Sequence, residues 1–295
     1  MSTTEISVKT MRVTPSTASK WLDRNGGNRN VRPSRVARYA ADMRAGRWQQ
    51  NGDTFKFDTT GRLIDGQHRC HAIIESGKSM TAFVVHGLPA EAAQTLDAGA
   101  HRSPADALFF AGEQRHHSKD IAAALNTWHQ WTNGVLDDCR AQPAGNWKLS
   151  NAAVVEAWEA HPEVARAAVE AKALYQRGLR VPVGAIAVAL LELRALDFDV
   201  ANDFFERIVE LRTSGKGDPI HTFISRLQDE SSLGRRVLPS TALYMLFRAW
   251  NAFVRNERLH KMQFGSSDSG WSPIPKPLPV PPGFHRGDSR LGVAA

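Results

Sequence analysis

The amino-acid sequence predicts an α+β protein: an N-terminal α/β domain over 1–112, a mostly α-helical domain over 113–265 and a proline-rich tail over 266–295. Three observations carry that expectation. Between residues 34 and 88 a helical period of apolar residues gives way to two-residue alternation and then returns. From about 115 to 265 nearly every segment repeats its apolar residues at helical spacing. From Trp271 the chain reads WSPIPKPLPVPPG, which favours polyproline II and a path over the surface.

The elements follow in chain order. DRNGGNRN (23–30) clusters Gly and Asn and reads as a loop. PSRVARYAADMRAGRW then predicts a helix with Ser34 as N-cap, Val36, Tyr39, Ala40 and Met43 on one face, and a stop at Gly46. TFKFD (54–58) and RLI (62–64) flank TTG as a short β-hairpin. Cys70, Ile73 and Ile74 share a face of a short helix that Gly77 ends, and MTAFVVHGL (80–88) returns as a buried strand. After PAEAAQTLDAG (89–99), a helix starts with Ser103 as N-cap, Pro104 at its first position and Asp106 near the capping-box position. Beyond it KDIAAALNTWHQWTNG, NAAVVEAWEAHPEVARAAVEAKALYQRG, PVGAIAVALLELRAL, DVANDFFERIVELRTSG and PSTALYMLFRAWNAFVRNERLHKMQF all read as helix, with no repeat of fixed period.

Composition narrows the class. With 42% hydrophobic and 23% charged residues the chain is globular, and VPVGAIAVALLEL (181–193) is too short to cross a bilayer and ends in charge, so it reads as a buried helix. MSTTEISVKTMRV lacks the apolar centre of a secretory signal, and Cys70 and Cys139 form neither a disulfide framework nor a metal-ligand spacing. A cytoplasmic, reducing setting is the expectation. A net charge of +7 leans toward an anionic partner. Seven arginines from Arg24 to Arg47, Arg35 and Arg38 among them, face only Asp42, a pattern that suits a nucleic-acid surface and equally a solvated helix face.

The chemistry concentrates in LIDGQHRCHA (63–72). A strand ending at Ile64, a turn at Asp65 and Gly66, and a helix from Gln67 aim the first N–H groups of that helix out of the turn, where the helix dipole favours anions. Gly66 lets a phosphate approach the backbone, Arg69 grips phosphate oxygens in two places and His68 adds a donor. Asp65 would repel phosphate unless it caps the helix, orients a side chain, holds Mg²⁺ or acts as a base. A capped helix with solvent-facing first-turn residues explains the same spacing.

GRLIDGQHRCHAIIESG after GDTFKFD, with a helix before and a strand after, resembles the core of the ParB/sulfiredoxin-like superfamily, including its phage-type and DGQHR-type members. The resemblance covers about residues 30–110. It implies that Gly66, Gln67, His68 and Arg69 form a phosphate site for a nucleoside triphosphate, ATP or CTP, with Mg²⁺. Two departures matter. Sulfiredoxins carry their reactive cysteine between the glycine and the histidine, where this chain has Gln67, so sulfinic-acid reduction is not expected. Partitioning ParB proteins continue into a helix-turn-helix reader, and 115–265 offers no distinct recognition helix. No paired-carboxylate or histidine cluster supports a nuclease.

Other candidates gather around that motif. Trp48, Asn51 and Asp53 precede the hairpin; the resemblance places them across the cleft from Arg69, with Trp48 stacking a base and Asn51 or Asp53 touching ribose or metal. A core tryptophan and an Asn-Gly-Asp turn are the plainer alternative. Asp65 and Asp53 are the candidate catalytic carboxylates. His101 and Arg102 form a second candidate anion pocket before the helix at Ser103, whereas His116 and His117 read as polar loop residues. Phe247, Trp250, Asn251 and Val254 share a helix face, leaving Arg248, Arg255 and Arg258 elsewhere, the last two as candidate nucleic-acid contacts.

The expected function is a ParB-like, phage or mobile-element protein that binds a nucleoside triphosphate, with or without hydrolysis, and acts on or with DNA, with a homo-oligomer as a candidate assembly and no membrane partner. Two other classes stay open. One is a phosphotransferase or DNA-modification enzyme using Asp65 or Asp53 as base; the other is a non-catalytic regulator or interaction protein.

Overall fold

The structure is a computed structural model that describes residues 5–25, 30–90, 92, 103–267 and 270–284. It is a mixed α/β architecture in two compact units: 1–103 with 144–153, and 104–143 with 154–295.

The first unit is a four-stranded sheet in the order β1-β4-β2-β3, from β1 (Ser7–Val13), β2 (Thr54–Asp58), β3 (Leu63–Asp65) and β4 (Met80–Leu88). β1 pairs antiparallel with β4, β4 parallel with β2, and β2 antiparallel with β3. The parallel pair requires a crossover, supplied by β3 and helix α3 (Gln67–Ser76). Helices α1 (Pro15–Leu22), α2 (Pro33–Arg44) and α3 bury Ala18, Val36, Ala40, Met43, Cys70 and Ile73 against Val13, Phe55, Phe57, Leu63, Ala82 and Val84 of one sheet face.

Before the segment expected as a loop, the chain contributes β1 and α1, which the sequence reading did not assign. Several expectations need correcting here. Helix α2 starts at Pro33, preceded by Arg32 without a side-chain cap, so Ser34 lies inside the first turn; proline's fixed φ and missing N–H suit that first position. Ile74 is 41% exposed, and Ala72 takes the buried place beside Cys70 and Ile73. β4 is buried on one side only, because the helices cover a single face. The hairpin forms as expected, and the left-handed Gly46 and Gly77 follow the ends of α2 and α3.

Segment 144–153 belongs to this unit through a buried acid. Asp42 Oδ1 accepts from Ser150 Oγ and Arg47 Nε, both at 2.9 Å, while Gly145 lies against Ser34.

The second unit packs α4 (Pro104–Phe110), α5 (Arg115–Thr132), most of α6 (Asn151–Ala160), α7 (Pro162–Gln176), α8 (Val183–Leu196), α9 (Phe198–Val209), α10 (Pro219–Ser232) and α11 (Pro239–Val254). Eight residues of α8 are buried, and Gly184 sits where a Cβ would lie 2.8 Å from Ala123 O of α5, so glycine permits this close crossing. No helix of the described residues is long and apolar enough to cross a membrane. Pro162 splits the segment expected as one helix into α6 and α7. Helix α11 ends at Val254, ten residues before the expected end, where Asn256 turns left-handed at φ 55°. His116 and His117 lie in the first turn of α5 rather than in a loop. A short hairpin, β5 (Ser266–Ser267) and β6 (Gly270–Trp271), precedes the prolines. The tail is strapped to α11: Trp250 Nε1 and Asn251 Nδ2 donate to Leu278 O and Lys276 O, both at 2.9 Å.

Candidate functional site

The β2–β3 hairpin delivers the chain into α3 through one tight turn. Phe55 points into the core as the platform of that turn, with Trp21 at 5.0 Å and the Arg69 guanidinium 4.9 Å from its ring centre. Gly66 lies against the ring edge at φ 109°, and a Cβ there would come within 2.5 Å of Phe55 Cδ1. Glycine is therefore required twice, by backbone conformation and by the ring.

Strand alternation turns Lys56 to the sheet face opposite Phe55 and Phe57, and the hairpin register sets it directly across from Asp65. Lys56 Nζ donates to Asp65 Oδ2 at 2.6 Å. Arg69 Nη2 donates to the same oxygen at 3.3 Å and to Thr54 O at 2.7 Å, while Nη1 lies 3.6 Å from Asp53 Oδ2. Two cations and two carboxylates thus share one cluster whose formal charges cancel. Exposure is uneven: the Arg69 side chain is 10% exposed, Lys56 27% and Asp53 61%. Asp65 is an ion-pair anchor that orients Arg69, and Gly66, the residue before α3, provides no side-chain cap.

The other motif residues brace the turn. Gln67 Oε1 accepts from Asn25 Nδ2 at 3.1 Å, and His68 Nε2 accepts from the Arg32 N–H at 3.0 Å, tying the start of α2 to the first turn of α3. Accepting at Nε2 places the proton of a neutral His68 on Nδ1. Both side chains are buried. Cys70, one position beyond Arg69, is fully buried, and burial pushes its thiol up to about 12.

The remaining candidates separate. Asn51 forms a turn by accepting the Asp53 N–H at 3.0 Å, which sets Asp53 beside Arg69. Trp48 lies edge-on to Tyr39 and lines a 410 Å³ cavity with Met43, Arg44 and Lys78, beyond the C-terminal end of α3. Arg69 is in the first turn of that ten-residue helix, roughly 10 Å along the axis from its C-terminal end. Arg35 and Arg38 are half-buried on α2, whereas Arg255 and Arg258 are exposed in the stretch after α11 of the second unit. Arg102 and His101 lie outside the described residues.

Lys56 is the member of this cluster that motif reasoning missed. Its signal was present in TFKFD, where alternation opposes it to two phenylalanines, but its pairing with Asp65 needs the hairpin register. Among the described residues no group of three or more His, Cys, Asp or Glu is placed to hold a metal ion. Comparison with known proteins adds no relative: no family model, curated protein or solved structure matches the chain.

Proposed function

We propose that the first unit binds a nucleoside triphosphate, ATP or CTP, with Mg²⁺ at the Lys56–Asp65–Arg69–Asp53 cluster and acts on or with DNA, as a ParB/sulfiredoxin-like fold of phage or mobile-element type. The observation that carries this reading is the convergence of Lys56 and Arg69 on one carboxylate oxygen beside the glycine turn into α3. A neutral quartet suits a magnesium-bound triphosphate better than a bare one: the two cations take phosphate oxygens while exposed Asp53 meets the metal. Mg²⁺ supplies charge neutralisation across the phosphates. Asp65 keeps Lys56 and Arg69 in place, and Gly66 lets the chain turn into α3 against the buried Phe55 ring.

The test is equilibrium binding of labelled ATP, CTP and GTP with Mg²⁺, with and without duplex DNA. One nucleotide is expected to bind, and Arg69→Ala or Lys56→Ala should weaken it by about 10- to 100-fold, the value of a charge-assisted hydrogen bond. Circular dichroism melts would separate lost binding from lost folding. Absence of binding for all three nucleotides in the wild type refutes the reading. A second reading, a non-catalytic regulator, is favoured by the self-satisfied ion pairs: there the quartet only locks α3 to β2. The phosphotransferase alternative would use Asp65 or Asp53 as base, Asp53 being the more exposed of the two, and would show γ-phosphate transfer to an added acceptor.

A further inference from the structure

A second cationic feature lies on the helical unit. From Thr213 to Phe264 the chain carries eight Lys or Arg against four Asp or Glu, and two of those acids, Asp218 and Glu230, are buried. The fold brings the loop before α10 alongside the stretch after α11. Leu259 N–H donates to Gly217 O at 2.8 Å, and the Thr222 hydroxyl donates to Leu259 O. A Cβ at Gly217 would meet His260 at 3.2 Å and Arg258 at 3.7 Å, so these side chains lie over the glycine.

The two segments enclose a depression of about 290 Å³ lined by Lys216, His221, Arg226, His260 and Lys261, with Asp229 the acid on its wall. Lys216, Arg258, His260 and Lys261 are exposed, and none has a carboxylate within ion-pair distance among the described residues. Arg226 pairs with buried Glu230 and lies over the Phe264 ring, yet its Nε is buried with no acceptor. It is the one such side-chain atom among the described residues.

We propose that this surface docks the sugar-phosphate backbone of duplex DNA. Unpaired cations spread along two adjacent segments suit a ligand with repeating charge better than a single small anion, which needs converging donors. The occupant is further narrowed by what the patch does not expose. Its apolar lining residue Met262 is buried, leaving no wedge for a bilayer. The choice of DNA as partner rests on the function proposed above; the surface itself does not depend on the nucleotide site.

The experiment is fluorescence anisotropy of a labelled duplex across a salt series, without nucleotide, using the full chain. The wild type should bind with steep salt dependence. The triple variant Lys216→Gln, Arg258→Gln, Lys261→Gln should bind roughly tenfold or more weakly on every sequence, and its log–log salt slope should fall by about 2–3. A charge-matched triple at the exposed Lys9, Arg12 and Lys20 should retain the wild-type slope. Wild-type affinity in the first triple, equal loss in both triples, or capture of phosphatidylserine vesicles in place of duplex would each overturn the proposal. Lost DNA binding in a wild type that still binds triphosphate sinks the surface alone, while a steep slope in a chain that binds no triphosphate sinks the nucleotide site alone.

Discussion

Replacing Gly66 with alanine tests the turn from which the candidate site is built. At φ 109° a residue with a Cβ costs about 1–2 kcal/mol in backbone strain. The added methyl would also lie 2.5 Å from Phe55 Cδ1, 3.1 Å from Cε1 and 3.3 Å from Cγ. Phe55 is fully buried between Trp21 and the Arg69 guanidinium, so retreat of the ring disturbs both neighbours, and overpacking of this kind costs about 1–3 kcal/mol. The two contributions give about 2–5 kcal/mol, or a fall of at least about 8 °C in the melting of a domain of this size. Thermal unfolding followed by tryptophan fluorescence would read it, since Trp21 packs on Phe55. Adding Phe55→Leu should relieve the steric part only, so the double variant should be more stable than the two single losses predict, with a coupling of about 0.5–3 kcal/mol. If Gly66→Ala melts within about one degree of the wild type, the approach of the turn to Phe55 is wrong, and with it the placement of Arg69.

Two further outcomes are expected from buried groups. Burial alone would raise the Asp58 carboxyl, but hydrogen bonds from Thr60 and Arg62, with the Arg62 charge, hold it below its ordinary value of 3.8. A depressed folded value means stability present above that ordinary value and lost as pH falls through the lower folded one, so Asp58→Asn should flatten the acid limb of urea midpoints plotted against pH; an unaltered limb would contradict it. Cys70, pushed up to about 12 by burial, with Arg69 lowering and Asp65 raising it, stays a thiol at neutral pH. A colorimetric thiol reagent should label it only on unfolding, and rapid labelling of Cys70 in the native protein would show that α3 does not bury it.

What the sequence determined by itself was local. The glycines after α2 and α3 mark their ends because a left-handed residue there costs glycine little, and the prolines opening α2, α7, α10 and α11 stand where a missing N–H is harmless. Alternation in TFKFD and the helical period of Val36, Ala40 and Met43 likewise act within a few residues and were legible. Tertiary structure decided the rest. SVKTMRV becomes a strand because β4 offers a partner some seventy residues later, a pairing absent from its own mostly exposed residues. Trp48 and Asp53 are five positions apart, yet packing sends one toward the far end of α3 and the other to Arg69. Lys56 meets Asp65 only through register, and 144–153 returns to α2, where the Ser150 hydroxyl donates to buried Asp42 and Gly145 lies against Ser34. The division follows from range: backbone conformation and helix punctuation are paid for locally, while a buried charge or an unpaired strand edge takes its partner from wherever the folded chain brings one.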